Sequence, residues 1–558
     1  MASSLTTTQG SLVSSSSSST NAAARTARRP LSLSKAMKKA GSVAVAATGN
    51  GGGASSSDTP LSLATSILHP EKCFIDPYNA LSTPLYQVRR VSSCTNKKLI
   101  VSDGNAKLLQ LKTQPPLSPS LAVLKTLKTA TFGQPTSVDM GPYDYTRSGN
   151  PTRAQLESQI AALEGVPRLN TDEGAGSSSS PSFPSFDGGA LAFTSGMAAL
   201  AAALRLAPSG TRVVAGDDLY GGTSRLLAQV APQCGVEVRN VDTSDAAAVE
   251  AALFDPSDPK PVSLLLLESP TNPRMQVADI RRLCALARRA GAISLVDNSI
   301  LTPVFQSPLL LGADVSMTSA TKFVGGHSDV TAGLLAVKGA ALYKRLYFYQ
   351  NAEGAGLSPF DSWLCLRGLK TMPLRMRAAA SNAAALAAFL EGHPLVKKVN
   401  FPGLATHPGR DVHASQSSSP GSLLSFETGN VELSRGVVER TKLFAIAVSF
   451  GSVASQISLP CYMSHASIPA AVRAERGLPD DLVRISAGVE DAGDLLRDLE
   501  AAFIETAGEL GLEGAPPRGR AEESLARAAK GREQELEAQV ALLKAELARA
   551  ARTGASTR

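Results

Sequence analysis

The chain has 558 residues, enough for two or three domains with an ample core, and its hydrophobic share of 43% is ordinary for a globular protein. Six cysteines are scattered without a CxxC pair, and no apolar run approaches the roughly 20 residues of a membrane span, so neither a zinc or disulfide framework nor an integral membrane protein is indicated. The net charge of +7 is concentrated at 1–57 (six basic, no acidic side chains) and 88–128 (eight basic, one acidic); removing both leaves −6, which speaks against a nucleic-acid-binding surface.

Residues 1–57 are Ser-, Thr- and Ala-rich, with RTARR and KAMKK clusters and no apolar h-region. That composition predicts an organelle transit peptide rather than a secretory signal, with the Ser/Ala bias favouring the plastid. An N-terminal arm follows over 58–152. Within it, 88–128 turns basic and loses helical or strand periodicity, an excursion too long for a compact domain. Gln87 reads directly into Thr129, so 88–128 is expected to be an insert, either a surface loop or a gene-model artefact. GNPTRAQLESQIAALEG predicts a helix opened by Asn-Pro, with Leu156, Ile160 and Leu163 on one face. The Ser/Pro/Gly-rich stretch 168–187 reads as a flexible loop.

From 190 to about 340 strands and helices alternate, which predicts an α/β fold with a mostly parallel sheet over 153–369. LAFTSGMAALAAALRLA is a strand, a Ser-Gly turn and a helix whose first N–H groups, Gly196 and Met197, suit a phosphate. TRVVAGDDLYGGT places Tyr220 in a Gly-flanked turn after a strand, where its ring can lie over a flat ligand. SLLLLESPTNP ends a strand at Glu268 and puts Asn272 in a Pro-bounded turn, and AISLVDNSI delivers Asp297 at a strand's carboxyl end. GADVSMTSATK then supplies Ser319, Thr321 and Lys322. An acid, two hydroxyls and a lysine at neighbouring strand ends suit pyridoxal 5′-phosphate (PLP): the lysine forms the Schiff base, the acid keeps the pyridine nitrogen protonated, and the hydroxyls bind phosphate. Beyond 361 a long helical stretch leads into a smaller α+β domain, 370–510. A tail, 511–558, carries Leu536, Val540, Leu543 and Leu547 at coiled-coil spacing.

The ordered blocks YDYTRSGNPT, FTSGMAAL, GDDLYGGT, ESPTNP, VDNS, SATKFVGGHSD, VSFGSVASQIS and VRISAGVED, spread over roughly 70–87 and 129–508, resemble the Cys/Met-metabolism family of PLP enzymes. DPYNALSTPLYQ, SPFDSWLCLRGLKTM and LPCYMSHASIP are most similar to its plastid cystathionine β-lyase branch. The resemblance implies a fold type I, aspartate-aminotransferase-like domain and β-elimination of L-cystathionine in methionine biosynthesis. It implies Lys322 as Schiff base and proton-transfer group, Asp297 on the pyridinium, and Tyr220 on the ring. Gly196, Met197, Ser319 and Thr321 would bind phosphate, and Arg484 the substrate carboxylate, helped by Ser449 and Asn272. Tyr145 and Arg147 would reach the phosphate of a neighbouring subunit, implying a homotetramer built from dimers that share active sites. No metal is expected.

In γ-specific relatives a Glu occupies the position of Ala454, which favours β chemistry here; γ-synthase or γ-lyase activity is the sibling alternative. A non-catalytic PLP-fold scaffold associating through its tail helix is the alternative of another class, were 88–128 to displace the arm. His327 and His465 read as structural hydrogen-bonding residues, Cys365 and Cys461 as core thiols, and Met140 and Met463 as packing.

Overall fold

The computed structural model describes residues 130–167, 186–466, 468–513 and 519–527, with 530, 534, 537, 540, 541 and 544 beyond them. The expectations for 1–57, for the arm up to 129 including 88–128, for 168–185, and for Leu536, Leu543 and Leu547 fall outside the described residues. Val540 is exposed.

Seven strands form the larger sheet: β1 (Gly188–Phe193), β2 (Arg212–Gly216), β3 (Glu237–Val241), β4 (Val262–Glu268), β5 (Ile293–Asp297), β6 (Val315–Thr318) and β7 (Gly333–Lys338). They lie in the order β1-β7-β6-β5-β4-β2-β3. The pairs β2·β3, β2·β4, β4·β5 and β5·β6 are parallel, as the strand–helix alternation predicts, while β7 runs antiparallel to both neighbours. The exception has a local cause. A parallel partner needs a crossover, usually a helix, but 319–332 contains none, so the chain turns back directly into β7. That turn carries Lys322.

Strand β4 shows why the sheet is buried on both faces. Leu265 and Leu267 join one apolar cluster, with Leu156 and Ile160 of helix α1 (Pro151–Leu163), and Leu264 and Leu266 join the other, with Leu200 and Ala203 of helix α2 (Gly196–Leu204). Successive strand side chains point to opposite faces, so a continuous apolar run marks a strand covered on both. Helix α1 starts where its Asn-Pro predicts: the Asn150 side chain accepts the N–H groups of Thr152 and Arg153, and Pro151 costs no hydrogen bond in the first turn.

The long helical stretch expected after 361 is two helices, α3 (Pro359–Leu369) and α4 (Met372–Glu391). Pro373 has no N–H to extend an existing ladder, so the chain breaks at Lys370–Thr371 and restarts. A five-stranded sheet follows: β8 (Lys398–Asn400), β9 (Leu423–Glu427), β10 (Ala445–Ile446), β11 (Gln456–Ser458) and β12 (Leu482–Ser486), in the order β10-β11-β12-β9-β8. Its apolar cluster joins Leu424 and Ile485 to Leu386 of α4 and Phe503 of helix α5 (Ala492–Glu509). Cys365 and Cys461 are buried, as expected of core thiols. Met140 is not a packing residue: it is 68% exposed, because the 130–149 segment is held by a short ladder at Thr131 and Tyr145 and leaves its tip unpacked.

Candidate active site

The carboxyl ends of three adjacent parallel strands make the floor of the site. Glu268 of β4 pairs in register with Asp297 of β5, and Asp297 with Met317 of β6. Open α/β sheets bind ligands at this edge. A cavity of about 190 Å³ opens there. Its wall includes Gly196 and Met197 at the start of α2, and Ser319, Thr321 and Lys322 from the turn after β6. Tyr220, Asn272 and Asp297 complete the expected residues in the lining. Ser449 and Arg484 stand behind it, one contact away. Tyr145 and Arg147 are not part of it.

Lys322 Nζ donates to Ser449 Oγ at 2.8 Å and lies 4.7 Å from the centroid of the Phe450 ring. Burial lowers its pKa from the usual 10.5 to about 8, with the Arg484 guanidinium adding to the shift and Asp297 opposing it. A lysine so placed exists partly as the free amine near neutral pH, the form needed for nucleophilic attack or proton abstraction.

Arg484 projects from β12 and is almost wholly buried. Nη2 donates to the carbonyls of Ser449 at 2.6 Å and Ala447 at 3.3 Å, and Nη1 to Asn272 Oδ1 at 3.3 Å. Its Nε and the Asn272 Nδ2 have no hydrogen-bond partner among the described residues. Two unpartnered donors on residues already bonded to each other are costly unless an acceptor joins them, and a substrate carboxylate is the group that a guanidinium edge and an amide satisfy.

Asp297 is held by Ser299, whose hydroxyl donates at 2.6 Å and whose N–H donates at 2.9 Å; Ser299 Oγ in turn accepts the Ser319 N–H at 2.7 Å. One hydroxyl thus ties the acid-bearing strand end to the lysine-bearing turn. Burial raises the Asp297 pKa, and the Ser299 bonds resist the shift. Glu268 is pushed well above the usual carboxylate range, first by burial and then by the charges of Asp297 and Asp218. Its Oε2 accepts the Tyr220 N–H at 3.2 Å and its Oε1 the Asn272 N–H at 3.0 Å. Ser299, Phe450 and the site role of Glu268 were not singled out from the sequence. For Glu268 a signal existed, since it ends β4 as Asp297 ends β5; its bond to the distant Tyr220 N–H left none.

Tyr145 and Arg147 lie on the 130–149 segment, both exposed, with the Arg147 guanidinium 5.6 Å from the Tyr145 ring centroid. His327 is exposed and its Nδ1 meets the Gly325 carbonyl at 2.8 Å, while buried His465 meets Ser464 Oγ at 2.9 Å. Both make structural contacts. Among the described residues no cluster of His, Cys, Asp and Glu could hold a metal, and no helix is long and apolar enough to cross a membrane.

The pattern of the Cys/Met metabolism PLP-dependent enzymes matches residues 186–504, from the start of the large sheet to the last helix of the small one. The chain belongs to this family. It is 49% identical to the chloroplastic cystathionine β-lyase of Arabidopsis thaliana over 79% of this chain and 81% of that one. It is 48% identical to the chloroplastic cystathionine β-lyase of Mimosa pudica over 79% and 82%. In three dimensions it matches cystathionine γ-synthase from Xanthomonas oryzae, solved in complex with cystathionine, with a TM-score of 0.67 and 33% identity, over 81% of this chain and all of that one.

The family's cofactor fits the residues present. A Cβ at Gly196 would lie 3.1 Å from the Met317 methyl and 3.2 Å from Ser319 Oγ, so a side chain there would crowd the cradle at the start of α2. An anion there meets helix N–H groups, and a pyridine nitrogen beside Asp297 meets a carboxyl group already steadied by Ser299.

Proposed function

We propose that this chain is a carbon–sulfur lyase that cleaves L-cystathionine by β-elimination into homocysteine, pyruvate and ammonia, in the branch that feeds methionine synthesis. The observation that carries the proposal is the pairing of Lys322, lowered to about 8, with the two unpartnered donors of Arg484 and Asn272 one residue contact away.

Gly196, Met197, Ser319 and Thr321 would hold the PLP phosphate, Asp297 its ring nitrogen and Tyr220 its ring face. Bound PLP supplies the electron sink that makes the substrate's α-proton acidic. Arg484 and Asn272 fix the substrate carboxylate and so orient the α-carbon. Lys322, as free amine, takes the α-proton at Nζ, and Ser449 Oγ accepts from Nζ and steers it. Tyr220 Oη or the protonated Lys322 then gives a proton to the departing thiolate. Lys322→Ala is expected to abolish the visible absorption of bound PLP and nearly all turnover of L-cystathionine; turnover that survives would contradict the role of Lys322.

We further infer cofactor and closing domains at 153–369 and 370–510, supported by the two separate sheets. A plastid location is supported by the composition of 1–57 and by the chloroplastic relatives. Tyr145 and Arg147 are read as serving a neighbouring subunit's phosphate, in dimers that pair as a homotetramer. Their exposure and their absence from this chain's own cavity lining support that assignment.

A further inference from the structure

Arg153 is among the most deeply buried side chains of the molecule, only 2% exposed, yet it touches nothing in the cavity of its own chain. Two of its three hydrogen bonds go to one short segment. Nη1 donates to the Thr146 carbonyl at 2.8 Å and to the Leu357 carbonyl at 3.3 Å, and Nη2 donates to the Arg147 carbonyl at 3.0 Å. Nε lies 3.7 Å from Glu157 Oε1, one helical turn along α1. Glu157 in turn accepts the N–H of Ala192, near the end of β1, at 2.9 Å. A continuous path therefore runs from the edge strand β1, through the Arg153–Glu157 ion pair, to the two carbonyls that flank the Arg147 Cα.

A second set of bonds steadies the same segment from the helix at Ala340–Ala352. Asn351 Oδ1 accepts from Arg147 Nε at 3.3 Å and from Ser148 Oγ at 3.2 Å, and Tyr347 Oη donates to the Ser148 carbonyl at 3.0 Å. The outcome is a backbone fixed from inside and two side chains, Tyr145 and Arg147, held out and stacked on each other. Burying a guanidinium and a carboxylate is expensive, and hydrophobic residues often stabilise such a site as well. A planar fork that serves three carbonyls in two directions offers what those residues cannot, a fixed direction for the chain leaving it.

We propose that Arg153 is a positioning residue for a site other than its own: it aims Tyr145 and Arg147 so that they complete the PLP phosphate site of a neighbouring subunit, a role that rests on the shared-site reading above. Its effect is pre-organisation. Without it two side chains must be ordered anew each time the cofactor binds, which weakens PLP binding by about tenfold.

The test uses full-length assemblies. PLP affinity is measured by absorbance titration of PLP-free protein for Arg153→Met and Arg153→Lys. The lysine variant keeps a charge beside Glu157 but loses the fork, so it tests the same point if the methionine variant does not fold. Both are expected to bind PLP about tenfold more weakly. Each variant is then co-assembled with Lys322→Ala subunits, which have an intact arm but no lysine; Arg147→Ala plus Lys322→Ala is the reference mixture. PLP retention and turnover above the average of the parent proteins are expected in both mixtures, because the intact arm completes the neighbour's Lys322 site. If only the Arg147→Ala mixture recovers, Arg153 acts within its own subunit and the proposal is overturned. If neither recovers, the shared-site reading itself fails. Unchanged PLP affinity in both Arg153 variants also overturns the proposal.

Discussion

What surrounds Lys322 favours its free amine. Burial and the Arg484 cation lower its pKa from 10.5 to about 8, while Asp297 pulls the other way. Ordinary lysine is almost wholly charged at pH 7; here about a tenth is free amine at pH 7 and about nine-tenths at pH 9. Only the amine can capture PLP, so the rate of PLP incorporation into PLP-free protein is expected to rise with pH through a midpoint near 8. Arg484→Gln removes the like charge and is expected to move that midpoint upward, though not back to 10.5, because burial is the larger cause. Rapid-mixing absorbance between pH 6.5 and 9.5 reads both effects. A rate that does not change between pH 7 and 9 would contradict the assignment. Arg484 and Asn272 cooperate in a second way, since each carries a buried donor with no partner among the described residues. That is a state to be relieved by an acceptor rather than one that stabilises the empty protein.

At the scale of elements, the site depends on β7 as much as on the strands that bear its chemistry. Gly333, the first residue of β7, lies against the turn between β1 and α2. A Cβ there would stand 2.2 Å from the Ser195 carbonyl oxygen and 2.8 Å from the Gly196 Cα. Gly333→Ala must therefore push the start of α2 away, costing about 1–3 kcal/mol of stability as other overpacked sites do. PLP affinity is expected to fall with it, by about tenfold, as the helix N–H groups lose their aim. Thermal unfolding and PLP titration separate the two effects, and a lower Tm with unchanged PLP affinity would show that β7 does not set the cradle. The elements themselves were largely legible in the sequence. Apolar runs ending in Glu268, Asp297 and Thr318 mark strands covered on both faces, and the Asn-Pro and Ser-Gly turns mark helix starts. The long helical stretch after 361 is legible, but its division at Lys370–Thr371 is not, because only Pro373 signals the restart. Residues that act on distant backbone escaped notice for a different reason. Glu268 accepts the Tyr220 N–H, Ser299 accepts the Ser319 N–H and Arg153 donates to the Leu357 carbonyl, main-chain partners that carry no signature in the sequence.

For the whole molecule, the two sheets divide the work. The larger one brings the acid, the hydroxyls and the lysine to one edge, and the smaller one brings Ser449, Phe450 and Arg484 over them. Family membership follows from the pattern matched over 186–504 together with this geometry. The family also contains γ-acting enzymes, among them the Xanthomonas oryzae cystathionine γ-synthase whose fold this chain shares. The choice between β and γ cleavage is therefore the central claim. It rests on the similarity to chloroplastic β-lyases and on Ala454, at a position where the family resemblance implies a Glu in γ-specific relatives. The direct measurement is to incubate the purified, PLP-loaded protein with L-cystathionine and quantify both keto acids with their thiols. Pyruvate in step with homocysteine is the result this account predicts. The appearance of 2-oxobutyrate with cysteine would contradict it.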